Sequence, residues 1–490
     1  MYNMSKSSVP IAAPKTLRYE QDAGLPVAIE ARSNRRTFYP SNGNTFGPST
    51  TNVLRMTLNS RSFVDFSHSY LQMKFTNLSG RALALDEGIP FFNRLQIMSG
   101  GVELEDIQEW SRLYAILNSI QASNLNSNEK TLTLHDKSLT SIVGDNAATL
   151  HNTANSDVHG SESMASGTSK TFNFPLMSGI FNIDKYFPLL LTDQGLDLYF
   201  YLNPTPDLGC YATGGLAADG YSITEVKYVA HEVNLDESFV NQMKQSMSAT
   251  GGLLSMSSTT YRYYQSNLTS EIASASVPIS CRVKSLKALL VRPQRQDLTG
   301  NQTAFPISTG QAMGITSVQF RVGSVLYPQS AITFDQSNPG EMFNEVRKAF
   351  GTLGSYTHGT LLNGNNYKLK TGTGAADGVV KLPGNSDDII TKDQQKSKFV
   401  IAYDFETFAK SATESGLNVG DRALPISMEI NRIGHIYLEG AGTGAGARGD
   451  LSGADYAPLQ STSVPARLDI FAMCDCIIYI DLMGRITTRI

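Results

Sequence analysis

Charged residues make up only 17% of this 490-residue chain, against roughly a quarter in an average soluble protein. The formal net charge is −4, so no overall electrostatic footprint for nucleic acid is present. Cysteine is nearly missing. Four residues, Cys210, Cys281, Cys474 and Cys476, do not make a disulfide framework, and a reducing compartment is expected. Histidine is sparse as well: His68, His135, His151, His159, His231, His358 and His435. No two of them follow H-x-H or H-E-x-x-H spacing, which removes the usual metal-site signatures. No stretch approaches the uncharged apolar length of a membrane span. The opening MYNMSKSSVPIAAPKTLRYEQDAG lacks the apolar core of a secretory signal, so the sequons at Asn77 and Asn267 are expected to be unused.

What is abundant points to β-structure. The 41 glycines, 22 phenylalanines and 21 tyrosines suit many short strands joined by turns. Side chains two apart on a strand share a face. Leu71, Met73 and Phe75 do so in SYLQMKFTNL, and FFNRLQIMSGG offers Phe92, Leu95 and Ile97 before a Ser-Gly-Gly turn. Near the end, LDIFAMCDCIIYIDLMGRI puts Ile470, Ala472, Cys474, Cys476, Ile478, Ile480 and Leu482 on one face. Asp469, Phe471, Met473, Asp475, Ile477, Tyr479 and Asp481 occupy the other. Cysteines inside an apolar stripe pack as small hydrophobes. A structural zinc site needs about four Cys or His ligands, and Cys210 and Cys281 stand isolated in the sequence.

Two segments switch to helical spacing. In DIQEWSRLYAILNSI, Ile107, Trp110, Leu113, Tyr114, Leu117 and Ile120 fall on one side, with Asp106 placed to cap and Glu109 three residues on. Trp110, the only tryptophan, reads as a packing anchor. NPGEMFNEVRKAF predicts a second helix with Asn338 as cap, Pro339 in the first turn and Glu341 completing the box. Met342, Phe343, Val346 and Phe350 form its apolar face.

The two helices lie about 230 residues apart, far beyond the period of solenoid repeats. The same spacing separates the strand of Leu196, Leu198, Phe200 and Leu202 from that of Leu424, Ile426, Met428 and Ile430. Matching order at matching spacing predicts an all-β chain of two tandem sandwiches. About eight strands, a short helix and long surface loops in each half fit a jelly roll better than an immunoglobulin sandwich of about 100 residues. The expected division is an N-terminal arm over 1–26, a first jelly roll over 27–235, a linker over 236–252 and a second jelly roll over 253–490. The polar stretches at 121–169 and 352–395 read as surface loops.

Taken together, NVLRMTLNSRSFVDFSHSYLQMKFTN, FFNRLQIMSGGVELEDIQEWSRLYAIL and YFPLLLTDQGLDLYFYLNP resemble the first jelly roll of double jelly-roll major capsid proteins of the adenovirus–tectivirus lineage. FVIAYDFETFAKSATESGLNVGDRALPISMEIN and LDIFAMCDCIIYIDLMGRI resemble the end of the second. The likeness is nearest to the capsid proteins of virophages and polinton-like viruses. It implies a non-enzymatic structural protein without cofactor or metal, placed in the virion capsid. It also implies homotrimers forming pseudo-hexagonal capsomers of an icosahedral double-stranded DNA virus. Expected partners are other copies of the chain, a penton protein and minor or cement proteins. The basic cluster Arg32, Arg35 and Arg36 would contact packaged DNA or, by the ordinary behaviour of surface charge, make solvated or intersubunit ion pairs.

Other readings have less behind them. A bicupin enzyme needs clustered histidines, and a serine hydrolase needs G-x-S-x-G at a strand-to-helix elbow; neither pattern is present. Gly444–Gly449 matches G-x-G-x-x-G, but Gly and Pro follow where a phosphate-binding helix should begin. The overlapping Arg448-Gly449-Asp450 tripeptide, associated with integrin attachment, arises by accident in roughly one chain this long in ten. A minor capsid paralogue or a carbohydrate-binding, fibre-like attachment protein built on jelly rolls is the serious rival. Tyr199, Tyr201, Tyr261, Tyr263 and Tyr264 could stack on sugars, although such tyrosines more often cover an interface.

Overall fold

The computed structural model describes residues 31–121, 155–156, 161–367, 379–381, 389–391, 398–432 and 465–490, with short gaps inside these ranges. In the first half, β1 (Ala31–Phe38), β2 (Val53–Leu58), β3 (Phe63–Asn77), β4 (Phe92–Ser99), β5 (Val102–Ile107), β6 (Ser169–Phe174), β7 (Leu196–Leu202) and β8 (Tyr221–Leu235) build two antiparallel sheets. Their orders are β1-β8-β3-β6 and β2-β7-β4-β5. The second half contains β9 (Leu253–Leu268), β10 (Ser274–Ile279), β11 (Leu286–Arg295), β12 (Ile315–Val322), β13 (Val325–Thr333), β14 (Ile401–Asp404), β15 (Ile426–Arg432) and β16 (Ala466–Asp481). These order as β9-β16-β11-β14 and β10-β15-β12-β13. Counted from its own first strand, each half reads 1-8-3-6 and 2-7-4-5. The chain is a double jelly roll. Among the described residues no sheet mixes strands of the two halves.

Helices α1 (Trp110–Gln121), α2 (Glu237–Ala249) and α3 (Gly340–Ala349) interrupt the strands. α1 and α3 hold equivalent places after the fifth strand of each half, and α2 joins the halves where the sequence predicts only a linker. No helix among the described residues is long and apolar enough to cross a membrane.

Strand β7 shows how the sequence makes these layers. Leu196, Leu198 and Phe200 are fully buried, while Asp197, Tyr199 and Tyr201 are half-exposed. The outward face is laced by polar contacts: Asp197 accepts from Thr57 at 2.5 Å and pairs with Arg55 at 3.4 Å. The Arg55 and Arg94 guanidiniums lie over the Tyr199 and Tyr201 rings at 5.4 and 5.1 Å. Inside, Phe200 packs on Phe92 and Trp110, with ring centroids 5.1 and 6.1 Å apart. The Trp110 indole Nε1 donates to the Met177 carbonyl at 2.7 Å, which satisfies its one polar atom. Trp110 is the anchor its position predicts. Gly100 and Gly101, at φ 54° and 82°, make the Ser-Gly-Gly turn between β4 and β5, a conformation that costs glycine little.

Several expectations need correction. Asp106 does not cap α1. It ends up on β5, where both its oxygens are taken by Arg94 at 2.5 and 2.8 Å. The helix starts at Trp110, and Glu109 turns the chain into it at φ 51°, with its carbonyl accepting from the Arg112 and Leu113 amides. Glu341 does not complete a capping box either: its carboxylate binds the amide and hydroxyl of Thr333, tying α3 to β13. Pro339 takes the cap position without a side-chain bond; Asn338 and Leu424 lie outside the described residues. Gly323 and Ser324 make a hairpin turn between β12 and β13. Leu482 lies past the end of β16 and is 55% exposed rather than part of its buried face.

Truncating a β7 core residue should cost what a buried leucine normally contributes. Leu198→Ala is expected to lower stability by about 2–5 kcal/mol. This is measured as a drop in urea midpoint at unchanged slope.

Candidate functional site: the seam between the two sandwiches

A strand that closes an ordinary sandwich is apolar on one side. β16 is buried on both sides from Ala466 to Ala472, because its second face meets the other half of the chain. Helix α1 has the same property. Ser111, Arg112, Ala115 and Ile116 are buried alongside its predicted apolar stripe.

Where α1 and β16 meet, charge is buried. Asp469 is 0% exposed. One carboxylate oxygen accepts from Arg467 Nε at 2.8 Å and Tyr263 OH at 2.9 Å. The other accepts from Arg112 at 3.1 Å and Arg292 at 3.4 Å. Arg112 also pairs with Glu109 at 2.9 Å and donates to Gln294 at 2.6 Å. Arg467 reaches back across the seam to Glu109 at 3.0 Å. Glu109 and Arg112 belong to the first half, the rest to the second. Three guanidiniums and two carboxylates therefore meet at the boundary without a sheet crossing it.

The electrostatics follow from this crowding. Burial alone would raise the Asp469 carboxyl, but Arg112, Arg467 and Arg292 hold it well below the usual carboxylate range. Burial pulls Arg292 down to about 10 against the attraction of Asp469. Arg467 is burdened by burial yet raised by Asp469 and Glu109. Clusters of this kind add little net stability over apolar packing, but breaking one is costly.

Two further carboxylates stitch the halves. Asp86, also 0% exposed, accepts the amides of Ile307 at 2.7 Å and Ser308 at 3.1 Å, and the Ser308 hydroxyl. Glu105 on β5 accepts Thr260 Oγ1 of β9 at 2.5 Å and the Gly179 and Ile180 amides at 2.8 and 3.3 Å. Burial raises the Glu105 carboxyl above its ordinary value, only partly offset by these donors. A side chain at Gly179 would meet the Thr259 carbonyl at 2.8 Å, so glycine is what allows this approach.

The residues singled out by sequence fall into place unevenly. Tyr261 is buried at the seam and Tyr263 is partly buried there, its hydroxyl joining the Asp469 cluster. They cover a boundary, but one inside the chain. Cys474 and Cys476 are buried on β16 as free thiols. Cys281, isolated in sequence, is brought against Cys474 by a thiol hydrogen bond. Burial pushes the Cys476 thiol up to about 12, which suits inert packing. No group that could hold a metal ion occurs among the described residues. Arg32, Arg35 and Arg36 lie exposed on β1; Arg35 donates to Tyr70 OH at 2.8 Å and Arg36 pairs with Glu232 at 3.6 Å. The rings of His68 and His231 lie 5.8 Å apart. The arm, the other five histidines, Gly444–Gly449 and Arg448-Gly449-Asp450 lie outside the described residues, as do most of 121–169 and 352–395. Sequence reasoning missed Arg112, Arg292, Arg467, Asp469, Asp86 and Glu105. The available signal was a charge inside an apolar run, as in WSRLYAIL and RLDIFAM.

Comparison with solved structures finds the same fold in chains of virus and virophage particles. Neither a protein-family model nor a curated protein sequence matches the chain. The fold is similar to that in the PBCV-1 virus capsid, with TM-score 0.57 and 11% identity over 96% of this chain and 98% of that one. The Sputnik virophage structure gives 0.56 and 10% over 99% and 95%. The mavirus major capsid protein gives 0.51 and 10% over 100% and 95%.

The seam makes two measurable demands. Asp469→Ala leaves three buried guanidiniums short of a carboxylate and is expected to cost about 3–5 kcal/mol. A double-mutant cycle with Arg112→Ala should give a coupling of about 0.5–3 kcal/mol, read from denaturant midpoints. Glu105 has the opposite sign to Asp469: its raised carboxyl contributes stability in full when protonated, and this is lost as the pH climbs from its ordinary value through its folded one. Glu105→Gln should flatten that part of the stability profile, measured by urea midpoints across acidic to neutral pH.

Proposed function

We propose that the chain is a major capsid protein. It would be a structural subunit that assembles as homotrimeric, pseudo-hexagonal capsomers of an icosahedral double-stranded DNA virus of the virophage or polinton-like kind. One observation carries the reading: the same eight-strand order occurs twice in a chain whose two copies are locked by buried ion pairs. Two equivalent domains in one subunit, repeated around a threefold axis, give a block of near-sixfold outline that can tile a shell. The fold likeness extends over nearly the full length of a virus capsid, a virophage and a major capsid protein, which supports the assignment. In this reading residues 27–235 and 253–490 are the two jelly rolls, 236–252 connects them, and 1–26 serves as an arm between capsomers. The role is structural and needs no cofactor. Partners are other copies of the chain, a penton protein and minor capsid proteins.

The rival reading, a sugar-binding attachment protein, loses one of its candidate tyrosines, Tyr261, to burial. DNA contact through Arg32, Arg35 and Arg36 competes with the pairing of Arg35 to Tyr70 and Arg36 to Glu232. Light scattering after gel filtration should give three copies of the 53.2 kDa chain, and negative-stain images should show six-lobed particles. A monomer at micromolar concentration would overturn the proposal.

A further inference from the structure

Strand β1 is an unusual edge. From Ala31 to Arg36 every residue is exposed, and Phe38 is its first buried side chain. Its hold on the sheet therefore rests on the ladder to β8 and on a few polar contacts. Arg35 lies directly across from His231, and His231 directly across from Asp65. Directly paired residues share a face, so Arg35, His231 and Asp65 form one row over β1, β8 and β3.

Next to this row β3 carries a bulge. Between the pairs Tyr70–Val229 and Asp65–His231, Phe66 to Ser69 stand opposite the single Ala230. Phe66 points inward onto Phe181 at 4.4 Å. Asp65 holds the rest, accepting the Ser67 amide at 3.0 Å, the Ser67 hydroxyl at 2.6 Å and His68 Nδ1 at 2.6 Å. Ser69 binds the Asp65 carbonyl at 2.5 Å and accepts the His231 amide at 3.0 Å. The bulge sets the exposed His68 ring 5.8 Å from that of His231. Bulges commonly re-aim a side chain in this way.

We propose that this cluster is an acid-sensitive latch that loosens β1 from β8 when both histidines are protonated. The charges facing it are Arg35 from β1, His231 from β8, and Asp65 and His68 from β3; Tyr70, also from β3, is bonded to Arg35. Behind them the buried Tyr228 is neutral, its hydroxyl pushed up by burial. Arg36 and Glu232 pair on the opposite face. The row holds one carboxylate, Asp65, against the Arg35 guanidinium and the two imidazole rings. With both rings protonated, three cations would face a carboxylate whose two oxygens are already engaged by Ser67 and His68. Like charges directly opposite on strands destabilise the pairing. The bulge is anchored by Phe66, whereas β1 has no apolar anchor before Phe38, so β1 is the element that yields. The inference does not depend on the capsid reading.

Hydrogen exchange of the full chain at pH 7.5 and 5.5, corrected for intrinsic rates, tests it. The β1 amides bonded to β8 should lose protection by roughly three- to tenfold in acid, while β7 amides keep theirs and report that the fold is intact. His231→Gln should abolish the loss and leave the Asp65–His68 pair in place. His68→Gln, at an exposed position, should reduce it as well. Unchanged β1 protection in the wild type, or the same loss in both glutamine variants, would overturn the latch.

Discussion

A single carboxylate with no access to water, Asp469, sets the terms for the rest of this molecule. It sits on the closing strand of the second sandwich and faces guanidiniums from both halves. Removing an ion from water is expensive, so the geometry around it must be met in full or not adopted at all. That demand fixes how α1 lies against β16, and through α1 how the first sandwich lies against the second. Apolar contact alone would tolerate sliding between the halves; directional bonds to a buried charge do not.

The layers were legible in the sequence because strand alternation is a local property. Leu196, Leu198 and Phe200 declared their inward face, as did Ile426, Met428 and Ile430, and the equivalent placing of α1 and α3 was visible in the spacing. The seam was not legible in the same way. Asp469 and Arg112 each looked like a polar residue on the outer side of an amphipathic element, which is the ordinary meaning of such a pattern. Only the contact between elements more than three hundred residues apart gives them another. The same limit explains Asp106: a carboxylate three residues before Glu109 resembles a cap until its cross-strand neighbour Arg94 claims it.

The histidines show the converse. Their spacing carries no signature, and the sequence dismisses them as a site. A bulge of β3 then places His68 beside His231, and nothing in the local pattern announces a bulge whose inward residue, Phe66, is one more aromatic in an aromatic-rich chain. Spacing rules find sites built within one element; they are blind to sites made where two elements fall out of register.

Repetition has also ceased to be symmetrical. α1 is enclosed on every side, with Asn118 alone half-exposed between Trp110 and Ile120, whereas its counterpart α3 keeps an ordinary wet face. A first half cut from this chain would leave Arg112 without Asp469 and Gln294, and a second half would strand Asp469 between two arginines with nothing across from it. Each half carries one side of a buried ion-pair cluster that only the other can complete.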